Sequence, residues 1–488
     1  MNEVYRCCHC PWFESDDSLI RSASAVGFFP STVGSPQSLT ERFPDESDVS
    51  AVPAAAPVDE RPHRKHGMSQ NLFWALAAEA SVLLASLLSF KIVSDHFTIP
   101  QYGKYAGIYG LIGFAVSSCT SWAGLVIPQW IVRERESAQA TMHSTLTYLC
   151  VLSLIGMMVV AVLGALMIHG VSVVAIVSLA AAELIGGASV LPLIMLAQSA
   201  ISIRAGLWVR MASSVAKGLF LVGLKVFSSI TFVHLGLTLL CSQLTVWAIA
   251  GMLIARRLGF VSRPGHPLRH HLSTAATFMV SVGSYALFEE GDKPIMVAYG
   301  HAEDNGAYGA AYRCARLAMV PLAAMENATH MHSVQSGTKP GEHVRRARKF
   351  TLYAVTYGVA ALIGLNLFGP FMLRHLAGAK YVTAMTQLRW LSPLVVLRGC
   401  RNFSDNGLLG LGKLKSRMSI NLGSAVLALT LYVALIPRYS WKGALAATVG
   451  TEVALVVASW MLLLRYQRQE DYALTRAEHR RRKTMAPL

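Results

Sequence analysis

Ser281, Tyr285, Glu289 and Asp292 recur at three- and four-residue steps, a spacing that puts them on one face of a helix, with Glu290, Lys293 and Pro294 beside them. Arg313 and Arg316 follow one turn apart, on a face that begins at Tyr312. Both groups lie in otherwise apolar stretches, where an ionised side chain at mid-bilayer costs roughly 2.5–3.5 kcal/mol on insertion scales. Two kinds of chemistry would justify that cost. One is a structural network of ion pairs tying the two segments together. The other is a cationic surface for an anionic substrate, with carboxylates at Glu289, Glu290 or Asp292 that take up H⁺ or Na⁺. The two are compatible, since a carboxylate that gives up its arginine when substrate arrives is a switch. Lys293, Arg313 and Arg316 are thus candidate substrate ligands, and Asp292, Glu289 and Glu290 candidate ion-coupling groups.

The chain that must hold these charges is 53% hydrophobic and 14% charged over 488 residues, with a mean hydropathy of +0.44. Those values exclude a soluble globular protein of this size and fit an all-α polytopic membrane protein. Twelve apolar spans are expected at 71–93, 105–128, 145–168, 171–198, 207–230, 233–256, 273–299, 306–330, 350–373, 381–400, 417–437 and 440–464. Pro192 predicts a kink in the fourth, and Pro294 removes a backbone hydrogen bond in the seventh.

A short frame comes back in the second half of the chain. Gly103, Tyr105 and Tyr109 read G-x-Y-x-x-x-Y, as do Gly306, Tyr308 and Tyr312. Each copy falls between two spans, which predicts a positive-φ glycine at a tight turn and a pair of tyrosines at headgroup depth. Matched copies in halves of similar length predict two six-helix lobes with the site between them. The expected divisions are a disordered leader (1–67), an N-lobe (68–257), a linker (258–272), a C-lobe (273–465) and a basic tail (466–488).

The first half carries fewer buried charges: Glu79 in span one, Lys91 near its outer end, Glu183 in span four, and Lys217 and Lys225 in span five. Arg210, Ser214, Lys217 and Lys225 form one broad helical stripe. Snorkelling explains Arg210 and Lys225, whereas Lys217 asks for an aqueous cavity. Lys217, Lys225 and Lys91 complete the set of candidate substrate ligands. Glu452 in span twelve is expected to be paired or cavity-facing.

The formal charge of +16 does not indicate nucleic acid. Lysine and arginine concentrate in alternate loops, as at Arg256, Arg257, Arg263 and Arg269, and again at Arg345, Arg346, Arg348 and Lys349. The opposite loops hold only Lys104, Arg374, Lys380, Arg438 and Lys442. This is a positive-inside pattern that puts both termini in the cytoplasm. The run Arg480 to Lys483 is suited to anionic headgroups. Asn327-Ala328-Thr329 and Asn402-Phe403-Ser404 match the glycosylation pattern but fall toward the cytoplasmic face.

Residues 1–67 are rich in Ser, Pro, Asp and Ala and lack a signal-peptide core. Met68 stands just before the first span, which leaves open whether the leader is translated. Cys7-Cys8-His9-Cys10 has ligand residue types at a spacing too tight for one zinc turn. The loops are too short for a soluble catalytic domain, and no G-x-x-x-x-G-K-S/T loop is present, so neither an enzyme nor direct ATP use is expected.

Over about 70 to 465 the chain resembles the polysaccharide (Wzx-type) flippases of the multidrug/oligosaccharidyl-lipid/polysaccharide exporter superfamily. The first span, Pro100-Gln101-Tyr102-Gly103-Lys104-Tyr105, Ile131-Val132-Arg133-Glu134, Asp292 and the turn from Gly306 to Tyr312 carry the resemblance. So do Leu376-Ala377-Gly378 through Tyr381 to Ala384, Asn406 to Lys413, Ile436-Pro437 and Trp441 to Thr448. The resemblance implies two lobes in a V that move an undecaprenyl-pyrophosphate-linked oligosaccharide outward by alternating access. It implies an inner-membrane setting, no cofactor beyond an H⁺ or Na⁺ gradient, and partners among lipids, a polysaccharide polymerase and other assembly proteins. It also implies a cavity lined by spans one, two, seven and eight, which places Arg313, Arg316, Lys293 and Lys91 there. The family pattern does not assign the Glu289-Glu290 pair, and spans one and two hold few cations, which shifts phosphate binding toward the second lobe. Three rivals stand beside this reading. They are a cation-coupled multidrug exporter of the same fold, a membrane polymerase or glycosyltransferase, and a scaffold of a secretion complex.

Overall fold

A computed structural model of the chain describes residues 68–128, 130–131, 138–225, 230–258, 272–323, 325–326, 342–411 and 413–485. The leader with Cys7 to Cys10, most of the linker and the Asn327 sequon lie outside the described residues. All the regular structure among the described residues is helical. The first half comprises α1 (Met68–His96), α2 (Ile99–Pro128), α3 (Ala138–Met167), α4 (Val173–Ile201), α5 (Ile203–Leu224) and α6 (Phe232–Leu258). The second half comprises α7, α8 (Ala302–Ala318), α9 (Glu342–Met372), α10, α11 (Leu414–Tyr439) and α12 (Trp441–Met485). Gly291 divides α7 into α7a (Leu272–Glu290) and α7b (Asp292–Ala298), and Ser392 divides α10 into α10a (Met385–Leu391) and α10b (Pro393–Gly410).

Among the described residues, nine helices are long and apolar enough to cross a membrane. The other three are α7 and α10, which are broken at Gly291 and Ser392, and α8, which is 17 residues long; all three carry charges. Lipid exposure follows from the sequence pattern. Leu154, Met158, Val162 and Leu166 on α3 repeat every fourth residue and are all exposed, a large apolar stripe that only a hydrocarbon solvent favours. α4, in which Pro192 predicts a kink, carries π-helical turns at Ala182–Gly187 and Ala197–Ile201 on either side of that proline.

Helix pairing repeats between the halves. α1 packs on α5 as α7a packs on α11; α4 packs on α6 as α10b packs on α12; α5 lies along α6 as α11 lies along α12. The halves meet along α2, which packs against α7a, α7b and α8.

The repeated glycines do not work as the turn frame suggested. Positive φ is found at Gly300, just before α8, whereas Gly103 and Gly306 sit inside the first turns of α2 and α8. Their role is close approach. A Cβ on Gly103 would overlap the backbone oxygen of Ala302, and one on Gly306 would overlap that of Ile99. Ile99 and Ala302 open their helices at the same distance before the two glycines, so the contacts are reciprocal. The tyrosines also depart from the headgroup expectation. Tyr105 and Tyr308 are 1% and 0% exposed and pack in the interior beside this crossing.

Candidate functional site

The crossing seals one end of the bundle. The Asn305 carboxamide donates to the Gly103 carbonyl at 2.7 Å. Lys380 donates to the Phe97 carbonyl at 2.6 Å and Ser94 to the Leu376 carbonyl at 3.4 Å. The Tyr102 and Tyr381 rings meet edge-on at 5.7 Å. Most of these latches use main-chain acceptors, which are set by helix position and need no charged partner.

Beyond the seal, α2, α4, α7 and α8 enclose a cavity of about 310 Å³. Glu183, Glu289, Glu290, Lys293, Arg313 and Arg316 line it, so acids and bases face it in equal number. The acids are already matched. Lys217 on α5 reaches Glu183 at 3.3 Å. Lys293 holds Glu290 at 2.7 Å and Asp292 at 3.1 Å. Arg316 spans both glutamates, at 2.8 Å to Glu290 and 3.8 Å to Glu289. Its side chain is 54% exposed, against 6% for Lys293.

Arg313 differs. Among the described residues no carboxylate lies within ion-pair distance of it. Its guanidinium lies over the rings of Phe90, Tyr105 and Tyr102, at 5.4, 5.8 and 5.9 Å from their centroids. Aromatic faces attract a cation without neutralising it. The cage comes from α1 and α2, so a second-half cation is positioned by first-half aromatics.

Behind the cavity wall the network continues through α10 and α12. Arg398 donates to Glu289 at 2.7 Å and to the Tyr312 hydroxyl at 2.7 Å. Arg401 pairs with Glu452 at 2.9 Å and donates to Tyr285 at 2.9 Å. Arg398 also approaches Glu452 at 3.8 Å, and Ser459 donates to Asp405 at 2.9 Å. Glu452 is therefore paired and fully buried. Arg398 and Arg401 are not among the residues the sequence singles out: Arg398, Arg401 and Asp405 step along α10b at three- and four-residue intervals, but the expected tenth span ends at 400, before two of the three.

The structure brings Lys293, Arg313, Arg316, Asp292, Glu289 and Glu290 together, with Lys217 joined through Glu183. It does not bring in Lys91 or Lys225. Lys91 pairs with Asp95 one turn along its own helix at 2.8 Å, and Lys225 is exposed at the end of α5. On the α5 stripe, Arg210 pairs with Glu79 at 2.9 Å, so each member of that stripe within the helix has its own local partner.

No family model and no curated protein matches the sequence. Solved structures do match by fold. One is an inward-facing multidrug resistance MATE family transporter of the MOP superfamily, with a TM-score of 0.60, 14% identity, and coverage of 81% of this chain and 99% of that one. An outward-facing structure of such a transporter gives a TM-score of 0.55 at 15% identity, covering 82% and 96%. A variant of the Vibrio cholerae MATE transporter VcmN gives 0.56 at 12% identity, covering 82% and 98%. At these identities the likeness establishes the fold, which is that of the MATE transporters.

Proposed function

We propose that this chain, which has the MATE transporter fold, is an alternating-access exporter whose cavity takes the anionic head of an amphiphile. The lipid-linked oligosaccharides of surface polysaccharide assembly are the substrate class we favour. The supporting observation is Arg313, the cavity cation with no carboxylate partner among the described residues. A guanidinium stays charged and forks onto phosphate oxygens, so a pyrophosphate suits it. Arg316 is the second ligand, because its exposed guanidinium can exchange a glutamate for a phosphate.

A volume of about 310 Å³ is at the low end for a ligand pocket. It has room for the phosphates, while the sugars need the lobes to part. With the positive-inside orientation the latched end faces out, and we read this conformation as the one that receives substrate from the cytoplasmic side. Export then requires release of the Gly103–Asn305 latch. An anion leaving a cell that is negative inside gains ~2.3 kcal/mol per charge per 100 mV. Asp292 is the coupling group we favour: it is buried, with Lys293 as its ion-pair partner and the Tyr308 phenol beside it.

A cation-coupled multidrug exporter is the second reading, and the fold likeness supports it more directly, since the neighbours are described as multidrug transporters. Reconstitution separates the two. Proteoliposomes would be assayed for translocation of a polyprenyl-pyrophosphate oligosaccharide and, in parallel, for efflux of a lipophilic cationic dye. The first reading expects oligosaccharide movement that Arg313→Ala abolishes. Dye efflux without oligosaccharide movement would replace it with the second.

A further inference from the structure

A second cavity, larger than the charged one, lies elsewhere among the described residues. It is a groove of about 680 Å³ between α5 and α6. It is lined by small residues, Ala205, Ala212, Ala216 and Ala250, and by larger apolar ones such as Trp208, Leu219 and Ile249. From Ala205 to Leu219 it follows α5 for ~21 Å, at 1.5 Å per residue, longer than the ~15 Å depth of one leaflet's hydrocarbon. Its charged lining residues are confined to one end. Arg204, at the start of α5, and Arg257, at the end of α6, both line the groove there. These antiparallel helices put both arginines at the end opposite the Gly103–Asn305 seal, the end where lysine and arginine loops concentrate. Trp208 is braced by Trp74, with ring centroids 5.0 Å apart, and is 54% exposed along the groove.

We propose that this groove is a binding site for one anionic phospholipid, with an acyl chain along α5 and the headgroup phosphate between Arg204 and Arg257. An apolar groove alone would take any lipid tail, because hydrocarbon is as apolar as the side chains lining it. Selectivity comes from the two guanidinium groups at headgroup level, the arrangement by which basic pockets between helices hold anionic lipids. None of its described lining residues lies on α7 or α8, so the site is separate from the charged cavity.

Trp208 reports on occupancy. The full chain, in phosphatidylcholine nanodiscs, would be titrated with phosphatidylglycerol brominated on its acyl chains, and separately with brominated phosphatidylcholine. Subtracting the signal of Trp208→Phe isolates quenching of this ring. Half-quenching is expected at an about tenfold lower mole fraction of the brominated phosphatidylglycerol, from two basic residues acting on one phosphate. The preference should vanish in R204Q/R257Q and persist in R204K/R257K, which keeps the charge and shows that substitution itself is tolerated. Equal quenching by the two lipids would mean an ordinary annular lipid and would overturn the proposal. Protection from both lipids, as by a second copy of the chain over the groove, would overturn it too, as would a preference that survives R204Q/R257Q.

Discussion

Arg398 Nη1 lies 2.7 Å from Glu289 Oε1, and this contact joins the cavity to a second layer of charge on α10 and α12. Glu289 faces the cavity, whereas the side chain of Arg398 is only 6% exposed. Any event that draws Arg316 away from Glu289 leaves that carboxylate to Arg398 and the Tyr312 hydroxyl. The cavity and the interior of the second half are thereby electrostatically continuous.

Arg398→Ala should destabilise the fold. Removing one partner of a buried pair strands the other charge, at a cost of about 3–5 kcal/mol. Thermal unfolding in detergent should show a clear fall in Tm. Combining it with Glu289→Gln should recover part of that loss in a double-mutant cycle. Additive losses would mean that the pair is not coupled.

Arg313→Lys should keep the charge but lose the fork. A charge-assisted hydrogen bond contributes about 1.5–3 kcal/mol, so binding of a soluble pyrophosphate analogue should weaken roughly ten- to hundredfold. Arg313→Ala should weaken it further. Titration calorimetry distinguishes the three proteins, and equal affinities would remove Arg313 from the site.

Gly306→Leu should prevent the sealed end from closing, since even a Cβ there meets the Ile99 carbonyl. Spin labels at Thr98 and His301, on a background with the native cysteines replaced, should show a longer mean distance in Gly306→Leu than in the parent. An unchanged distance distribution would mean that the helices cross without needing this glycine.

Asp292→Asn should change how transport depends on the ion gradient while leaving Arg313 in place. Transport by the parent should slow when the H⁺ or Na⁺ gradient is collapsed, and transport by Asp292→Asn should respond less. If the parent runs at the same rate without either gradient, coupling through Asp292 is ruled out.

The spans, the charged face of span seven and the arginine pair of span eight were all legible in the chain, because hydropathy and helical periodicity are local properties. The doubling of G-x-Y-x-x-x-Y announced the two halves, yet it misdirected the detail. A glycine between two apolar runs reads equally as a turn or as a site of close approach, and only the facing helix distinguishes them. Gly300, with no counterpart in the motif, turned out to take the positive φ. Lys91 and Lys225 read as candidate ligands, and structure gave one a local carboxylate and left the other exposed at a helix end.

What the sequence determined by itself is the solvent of the chain: twelve apolar spans suited to a bilayer, with the densest charge in the seventh and eighth. Which charge neutralises which was decided by tertiary structure alone. Ion pairing depends on a few ångströms between helices far apart in the chain, and periodicity along one helix carries no information about its neighbour. For that reason Arg398 and Arg401 became visible as the partners of Glu289 and Glu452 only once α10 was seated between α9 and α12, and Arg313 stood out only once its neighbours proved to be aromatic.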